Sequence, residues 1–248
     1  MVRNVAILQA RMGSQRLPGK VLADLGGQPV MAHAIERARA IQGIDAVCVA
    51  TSDHVSDDAV ALTAEKSDAI VVRGSEKDVL SRYALAAKHT NADIIMRLTC
   101  DCPLIDPAVC TAVLLLQTHS DVAYASNVIR RQWPHGLDCE VFKREALDRA
   151  AMSADTAYDR EHVTPFIRKN AHHTANLDGP GGAAAQERWV VDQPEDLNFL
   201  RALIAYLPSP LIRAGWREIF AVSQKHPEVA AINAHLRLGV TSVDPAKG

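Results

Sequence analysis

Val5-Ala-Ile-Leu-Gln-Ala-Arg-Met-Gly-Ser-Gln-Arg-Leu-Pro-Gly-Lys20 is a short apolar run that turns directly into a loop of Gly, Pro and three cations. Val5 to Leu8 is bounded by polar residues and too short for a helix, the pattern of a buried strand. After the loop, residues 29–41 place Val30, Met31, Ala34, Ile35, Ala38 and Ile41 at helical spacing. This strand–loop–helix unit then recurs. Further strands are expected at 46–50, 69–72 and 93–98. Helices are expected from Asp57 or Asp58, either of which can cap, to about Lys66, then at 79–89 and 107–119. Pro107 suits the first turn of the last of these. Strands alternating with helices require right-handed crossovers and give a mainly parallel α/β sheet. Such sheets bind ligands at the carboxyl ends of their strands. The loops at 11–20, 51–53, 73–75 and 99–106 should therefore line one crevice.

Beyond residue 120 the rhythm changes. Two extended runs, at 122–126 and 137–142, flank Arg130-Arg-Gln-Trp-Pro-His-Gly136, whose Arg130 and Arg131 read as a solvated hairpin tip or a subunit contact. Residues 157–170 are polar but helix-compatible, and Arg188-Trp-Val-Val-Asp192 has strand character. Pro194 opens a long helical region that Pro208 and Pro210 interrupt. No internal repeat or linker divides the chain.

With 248 residues, 48% hydrophobic and 23% charged, the chain can bury one substantial core. A net charge of −2 gives no sign of a general nucleic-acid-binding surface, so any polyanion site must be local. The five cysteines show neither a disulfide framework nor zinc-site spacing, which suits reduced thiols. No leader pattern precedes the first strand, and the longest apolar run, Ala112 to Leu116, is far too short for a bilayer. A cytoplasmic protein with no membrane partner is expected.

The chemistry starts in the opening loop. Arg11, Arg16 and Lys20 follow a strand and are interleaved with Gly13, Ser14 and Gly19. Gly lets a backbone approach a ligand and turn N–H groups towards it, while Arg and Lys donate to phosphate oxygens. The spacing is neither Gly-x-x-x-x-Gly-Lys-Ser/Thr nor Gly-x-Gly-x-x-Gly, so this is a different phosphate cradle. Asp101 and Asp192 each follow an apolar run, and two such carboxylates could share one Mg²⁺ with phosphate oxygens. Asp196 should favour the N-terminus of the helix that Pro194 opens.

The residues also carry a resemblance. The run from Ile7 to Leu22, Arg97-Leu-Thr-Cys-Asp-Cys-Pro-Leu-Ile-Asp106, Tyr124-Ala-Ser-Asn127, His135-Gly-Leu-Asp-Cys-Glu-Val-Phe142, Arg160-Glu-His-Val-Thr-Pro165 and Arg188-Trp-Val-Val-Asp-Gln-Pro-Glu-Asp-Leu197 together resemble the cytidylyltransferase family. That family includes the sugar-acid cytidylyltransferases, and the nearest branch is the spore-coat polysaccharide biosynthesis protein F type. The resemblance spans about residues 3–200. It implies a three-layer α/β/α fold of the nucleotide-diphospho-sugar transferase type and Mg²⁺-dependent transfer of CMP from CTP to an acceptor, a sugar acid in most of the family. Carried over by position, Arg11, Ser14, Arg16 and Lys20 hold the triphosphate, and Asp101 and Asp192 hold the metal. Arg73 and Thr99 lie near base and ribose, and Leu8, Ala10, Met12 and Gly13 lie along the nucleotide. Arg11, Arg16, Lys20 and Asp101 carry the catalysis. The branch usually has Gly where this chain has Cys100, so a positive φ there would displace Asp101.

One domain over 1–248 is expected, with a nucleotide-binding half at 1–120, an acceptor and dimer region at 121–192, and C-terminal helices at 193–248. The acceptor should enter between the second half and the sheet, beside His135, Asp138, Glu140, Arg160, Glu161 and His162. In the sugar-acid relatives the same region pairs subunits, which implies a homodimer. Two rival readings share the fold: a glycosyltransferase using a nucleotide sugar, and a non-catalytic nucleotide-binding partner in a polysaccharide pathway. The absence of a second Asp in Asp101-Cys-Pro103 counts against the first. The presence of Asp101, Asp192, Arg11 and Lys20 counts against the second.

Overall fold

The computed structural model describes residues 2–237. The expected C-terminal helices therefore fall outside the described residues from 238 onward. In the first half, β1 (Asn4–Gln9) leads through a 3₁₀ turn and a two-residue hairpin, β2 (Asp24–Leu25) with β3 (Gln28–Pro29), to α1 (Val30–Arg39). Then follow β4 (Ala46–Ser52), α2 (Asp58–Lys66), β5 (Ile70–Gly74), α3 (Val79–His89), β6 (Ile94–Thr99) and α4 (Pro107–Ser120). β1 pairs in parallel with β4 on one side and β6 on the other, and β4 pairs in parallel with β5.

Successive residues of a strand point to opposite faces, and this strand is apolar on both. Ala6 and Leu8 pack with Met31 and Ile35 of α1 and Val113 of α4, whereas Val5 and Ile7 pack with Leu80 and Tyr83 of α3. That two-sided burial makes three layers, helices over both faces of one sheet. Tyr83 ties the layers at the carboxyl edge: its buried hydroxyl donates to the carbonyls of Ile7 and Leu98.

The second half completes the sheet by different rules. β7 (Tyr124–Ser126), β8 (Glu140–Lys143) and β9 (Thr174–Asn176) extend it to seven strands in the order β5-β4-β1-β6-β8-β7-β9. β8 is antiparallel to both β6 and β7. Between β8 and β9 lie α5 (Arg144–Ser153), α6 (Ala157–His162) and α7 (Pro165–Asn170). The helix-compatible run at 157–170 is thus two helices, broken at Val163, whose φ is +70°. A short α8 (Gly182–Ala185) precedes α9 (Pro194–Ile204), α10 (Trp216–Lys225), α11 (Pro227–Ala230) and α12 (Ala234–Arg237). Leu197, Phe199 and Leu203 of α9 and Ile219 of α10 enclose Trp189 and Val191 in a third core.

The strand expected at 188–192 is not one. Its backbone donors go to two different segments: the Trp189 N–H to the His135 carbonyl at 2.7 Å and the Val191 N–H to the Asp101 carbonyl at 2.8 Å. One isolated bridge, His135 with Arg188, is all the pairing that results. Gly136 makes that approach possible. Its φ is +112°, and a Cβ there would stand 2.7 Å from the Trp189 carbonyl carbon. Arg130 and Arg131, read as a tip or a contact, pair with Asp178 and Asp138. All five cysteines are free and buried, and burial pushes the Cys48 thiol up to about 12.

Candidate active site

The carboxyl ends of β1 and β6 open into a cleft of about 590 Å³, within the range of small-ligand sites. Its walls include Ala10, Arg11, Gly13, Ser14, Arg16 and Lys20 from the first loop, with Thr99, Asp101 and Asp192 opposite and Glu161 and His162 at the rim. Gln9 at the end of β1 and Gln15 of the same first loop also line it; Val21, Val79 and Arg82 complete the lining and were not expected there. Arg82 sits in the first turn of α3, beyond the loop at 73–75 that was expected to line the crevice.

The first loop is held from within. The buried Asp57 accepts the Met12 N–H at 2.7 Å and also the Ser52 hydroxyl. It therefore does not cap α2 as expected; no side-chain cap bond forms there. The Met12 carbonyl in turn accepts the N–H groups of Ser14 and Gly19, at 2.8 and 3.1 Å. Gly19, with φ +71°, closes the loop on itself instead of offering its N–H to a ligand. Loop shape thus depends on a carboxylate 45 residues away, a long-range contact that local pattern does not disclose.

At the deep end, the Lys20 ammonium lies 2.7 Å from Asp101 Oδ2 and 3.1 Å from Asp192 Oδ1. Arg16 reaches Asp192 Oδ2 at 2.5 Å. Burial alone would lower the Lys20 pKa, but Asp101 and then Asp192 outweigh it and hold the ammonium above its ordinary value. Burial would likewise raise Asp192, but Lys20 and Arg16 hold it below the usual carboxylate range. Cys100 is absent from the residues with positive φ, so the turn accepts its side chain and leaves Asp101 at the strand end.

Two carboxylates that reach one compact cation supply the hard oxygen donors that Mg²⁺ prefers. No group of three or more potential ligands occurs among the described residues. The donor set fits an ion that takes the rest of its shell from phosphate oxygens and water.

Apart from Glu161 and His162 at the rim, the remaining candidates, Leu8, Met12, Arg73, His135, Asp138, Glu140 and Arg160, lie outside the cleft lining. Leu8 is fully buried in β1. Arg73 bonds to the Ser52 and His54 carbonyls and pairs with Asp58. Glu140 is buried and takes Arg97 at 2.5 Å, the Tyr124 hydroxyl and the Thr164 hydroxyl, a network beneath the cleft whose Arg97 also donates to Gln9. Arg160 bonds to Asp78 and to the Ala151 and Ala154 carbonyls. Asp138 pairs with Arg131, and His135 meets Arg188 at 3.3 Å. Burial lowers the His135 pKa and so favours its neutral ring. Glu161 is 3.8 Å from Arg11 across the rim.

The cytidylyltransferase family model matches residues 5–220. The spore coat polysaccharide biosynthesis protein SpsF of Bacillus subtilis is 34% identical over 209 residues, 79% of this chain and 84% of that one. The 3-deoxy-manno-octulosonate cytidylyltransferase of Anaeromyxobacter sp. (strain Fw109-5) is 32% identical, covering 84% of this chain and 99% of that one. Among solved structures, a cytidylyltransferase from Leptospira borgpetersenii superimposes with a TM-score of 0.86 at 29% identity, over 92% of this chain and 97% of that one. The resemblance and the three-layer fold expected from sequence are both borne out. No helix among the described residues is long and apolar enough to cross a membrane.

Proposed function

The chain belongs to the cytidylyltransferase family, and from that premise we propose that it transfers CMP from CTP to the oxygen of a small acceptor, a sugar acid, in surface polysaccharide or glycoconjugate synthesis. The observation that carries this reading is the Lys20 ammonium shared by Asp101 and Asp192 at the end of a basic cleft.

In the proposed reaction the acceptor oxygen attacks the α-phosphorus in line, and pyrophosphate leaves. Such a step needs positioning and charge neutralisation more than covalent chemistry from the protein. Arg11, Ser14 and Arg16 line the wall along which a triphosphate would lie, and Arg16 and Lys20 would take up charge on the departing pyrophosphate. Asp101 and Asp192 would hold Mg²⁺, which supplies charge neutralisation at the phosphate oxygens when bound. Glu161 and His162 are the acceptor candidates that reach the cleft. The cytoplasm is the compartment that suits five unpaired buried thiols. A homodimer is proposed from the family alone, and light scattering tests it.

The deciding experiment measures pyrophosphate release with CTP, ATP, GTP and UTP against a panel of sugar acids in the presence of Mg²⁺. Release with CTP and one acceptor supports the reading. Turnover of a preformed nucleotide sugar, or CTP binding with no release against any acceptor, overturns it.

A further inference from the structure

Asp192 lies in a segment that no strand ladder holds, yet the reading above needs its carboxylate fixed against Asp101. The contacts that fix it come from behind. Arg188, almost fully buried, donates Nε and Nη2 to the two oxygens of Asp196 at 2.8 and 2.9 Å. Its guanidinium also lies 3.7 Å from Asp192 Oδ2. Asp196 has no solvent exposure and accepts the Asp192 and Gln193 N–H groups at 3.1 and 3.0 Å. One buried carboxylate therefore sets both the backbone of Asp192 and the cation beside its side chain.

Two residues near the C-terminal end of the described chain close this arrangement. Asn233 is fully buried and donates Nδ2 to the Arg188 carbonyl at 3.0 Å and to Asp196 Oδ1 at 3.1 Å. Both partners are acceptors, so the amide nitrogen must face them. The Asn233 amide oxygen has no hydrogen-bond partner. A buried acceptor without a donor is unfavourable, so the side chain is suited to the site by its own donor. Arg237 forks onto the buried Glu187, at 3.1 and 2.9 Å, and Glu187 also takes Trp189 Nε1 and the Ser223 hydroxyl. The segment from Glu187 to Asp196 is thereby clamped at both ends by α10 to α12. Asn233 and Arg237 lie beyond the residues the family model matches.

We propose that Asn233 and Arg237 are positioning residues for Asp192, so that the C-terminal helices form the outer shell of the divalent-ion site. This rests on the reading of Asp101 and Asp192 as the metal pair. Partners of this kind behind a metal ligand change metal affinity by about 10–100-fold when removed.

The test uses the full chain with CTP and Mn²⁺ as the paramagnetic probe of the divalent site, titrated by EPR. Asn233→Ala and Arg237→Met are expected to weaken Mn²⁺ binding about tenfold or more. Asn233→Asp is expected to weaken it further, because a carboxylate cannot donate to Asp196 and repels it. A control, Leu147→Ala, removes buried volume from the opposite layer and lowers Tm without moving the Mn²⁺ titration. Variants with lowered Tm but wild-type Mn²⁺ affinity, or Asn233→Asp binding as well as Asn233→Ala, would overturn the proposal alone. A wild type that binds CTP but no Mn²⁺ would overturn the metal reading and the proposal with it.

Discussion

Asp101 and Asp192 meet at one ammonium, but the chain brings them there by different means. Asp101 stands at the end of β6, a strand in register with β1 over six residues, and the ladder sets its place. Asp192 ends a run with one isolated bridge, placed by a glycine-permitted approach, a buried ion pair and two C-terminal side chains. Backbone ladders tolerate many side chains. A side-chain clamp tolerates few, because a buried ion pair missing one partner costs about 3–5 kcal/mol.

The largest effect tests whether the two ends converge in function. Asp101→Ala and Asp192→Ala should each slow pyrophosphate release by about 10²–10³-fold, the scale for losing a preorganised electrostatic partner. Loss from only one of them would break the symmetry of the pair. Next, Gly136→Ala should cost about 1–3 kcal/mol of stability from its left-handed backbone alone, with more from the clash against Trp189. Gly13→Ala, whose Cβ would meet nothing closer than Glu76 Oε1 at 3.6 Å, should shift denaturant unfolding by less than about 0.5 kcal/mol. Equal effects would remove the contrast between the two halves.

Within the first half, Asp57→Ala leaves the Met12 N–H and the Ser52 hydroxyl without their acceptor. It should raise the KM for CTP about tenfold, for a loss of about 1–1.5 kcal/mol, and leave kcat less changed.

The smallest effect is a pH dependence. The native pKa of Asp192 lies below its unfolded value, held there by Lys20 and Arg16 against burial. Its contribution to stability is therefore complete above about pH 4 and is lost as pH falls through the depressed native value. The gap in unfolding free energy between wild type and Asp192→Asn should be constant from pH 8 to 5 and close in stronger acid. Lys20 has the opposite sign: its pKa is raised, so its share is lost only above its unfolded value of about 10.4.

The same contrast explains what could be read in the sequence. α3 lies at the expected residues, and the four parallel strands of the first half start within one residue of expectation, because two-sided burial writes itself as apolar runs. Arg11, Arg16, Lys20, Asp101 and Asp192 were visible as charges at the ends of such runs, and all five line one cleft. Arg82 and Asp57 were not visible in that role, since what directs each into the site is packing between distant elements. The strand character of 188–192 was genuine as pattern. Trp189 and Val191 are buried, but against helices instead of neighbouring strands.

Asp106 gives the pattern a consequence in time. One of its oxygens caps α4 through the N–H groups of Ala108 and Val109, and the other accepts the Trp216 N–H at 2.7 Å, across 110 residues of chain. On a ribosome adding about 5–20 residues per second, the loop that carries Asp101 waits roughly 5–20 s for that last donor. Until Trp216 emerges, that oxygen of Asp106 lacks the partner it has in the folded chain.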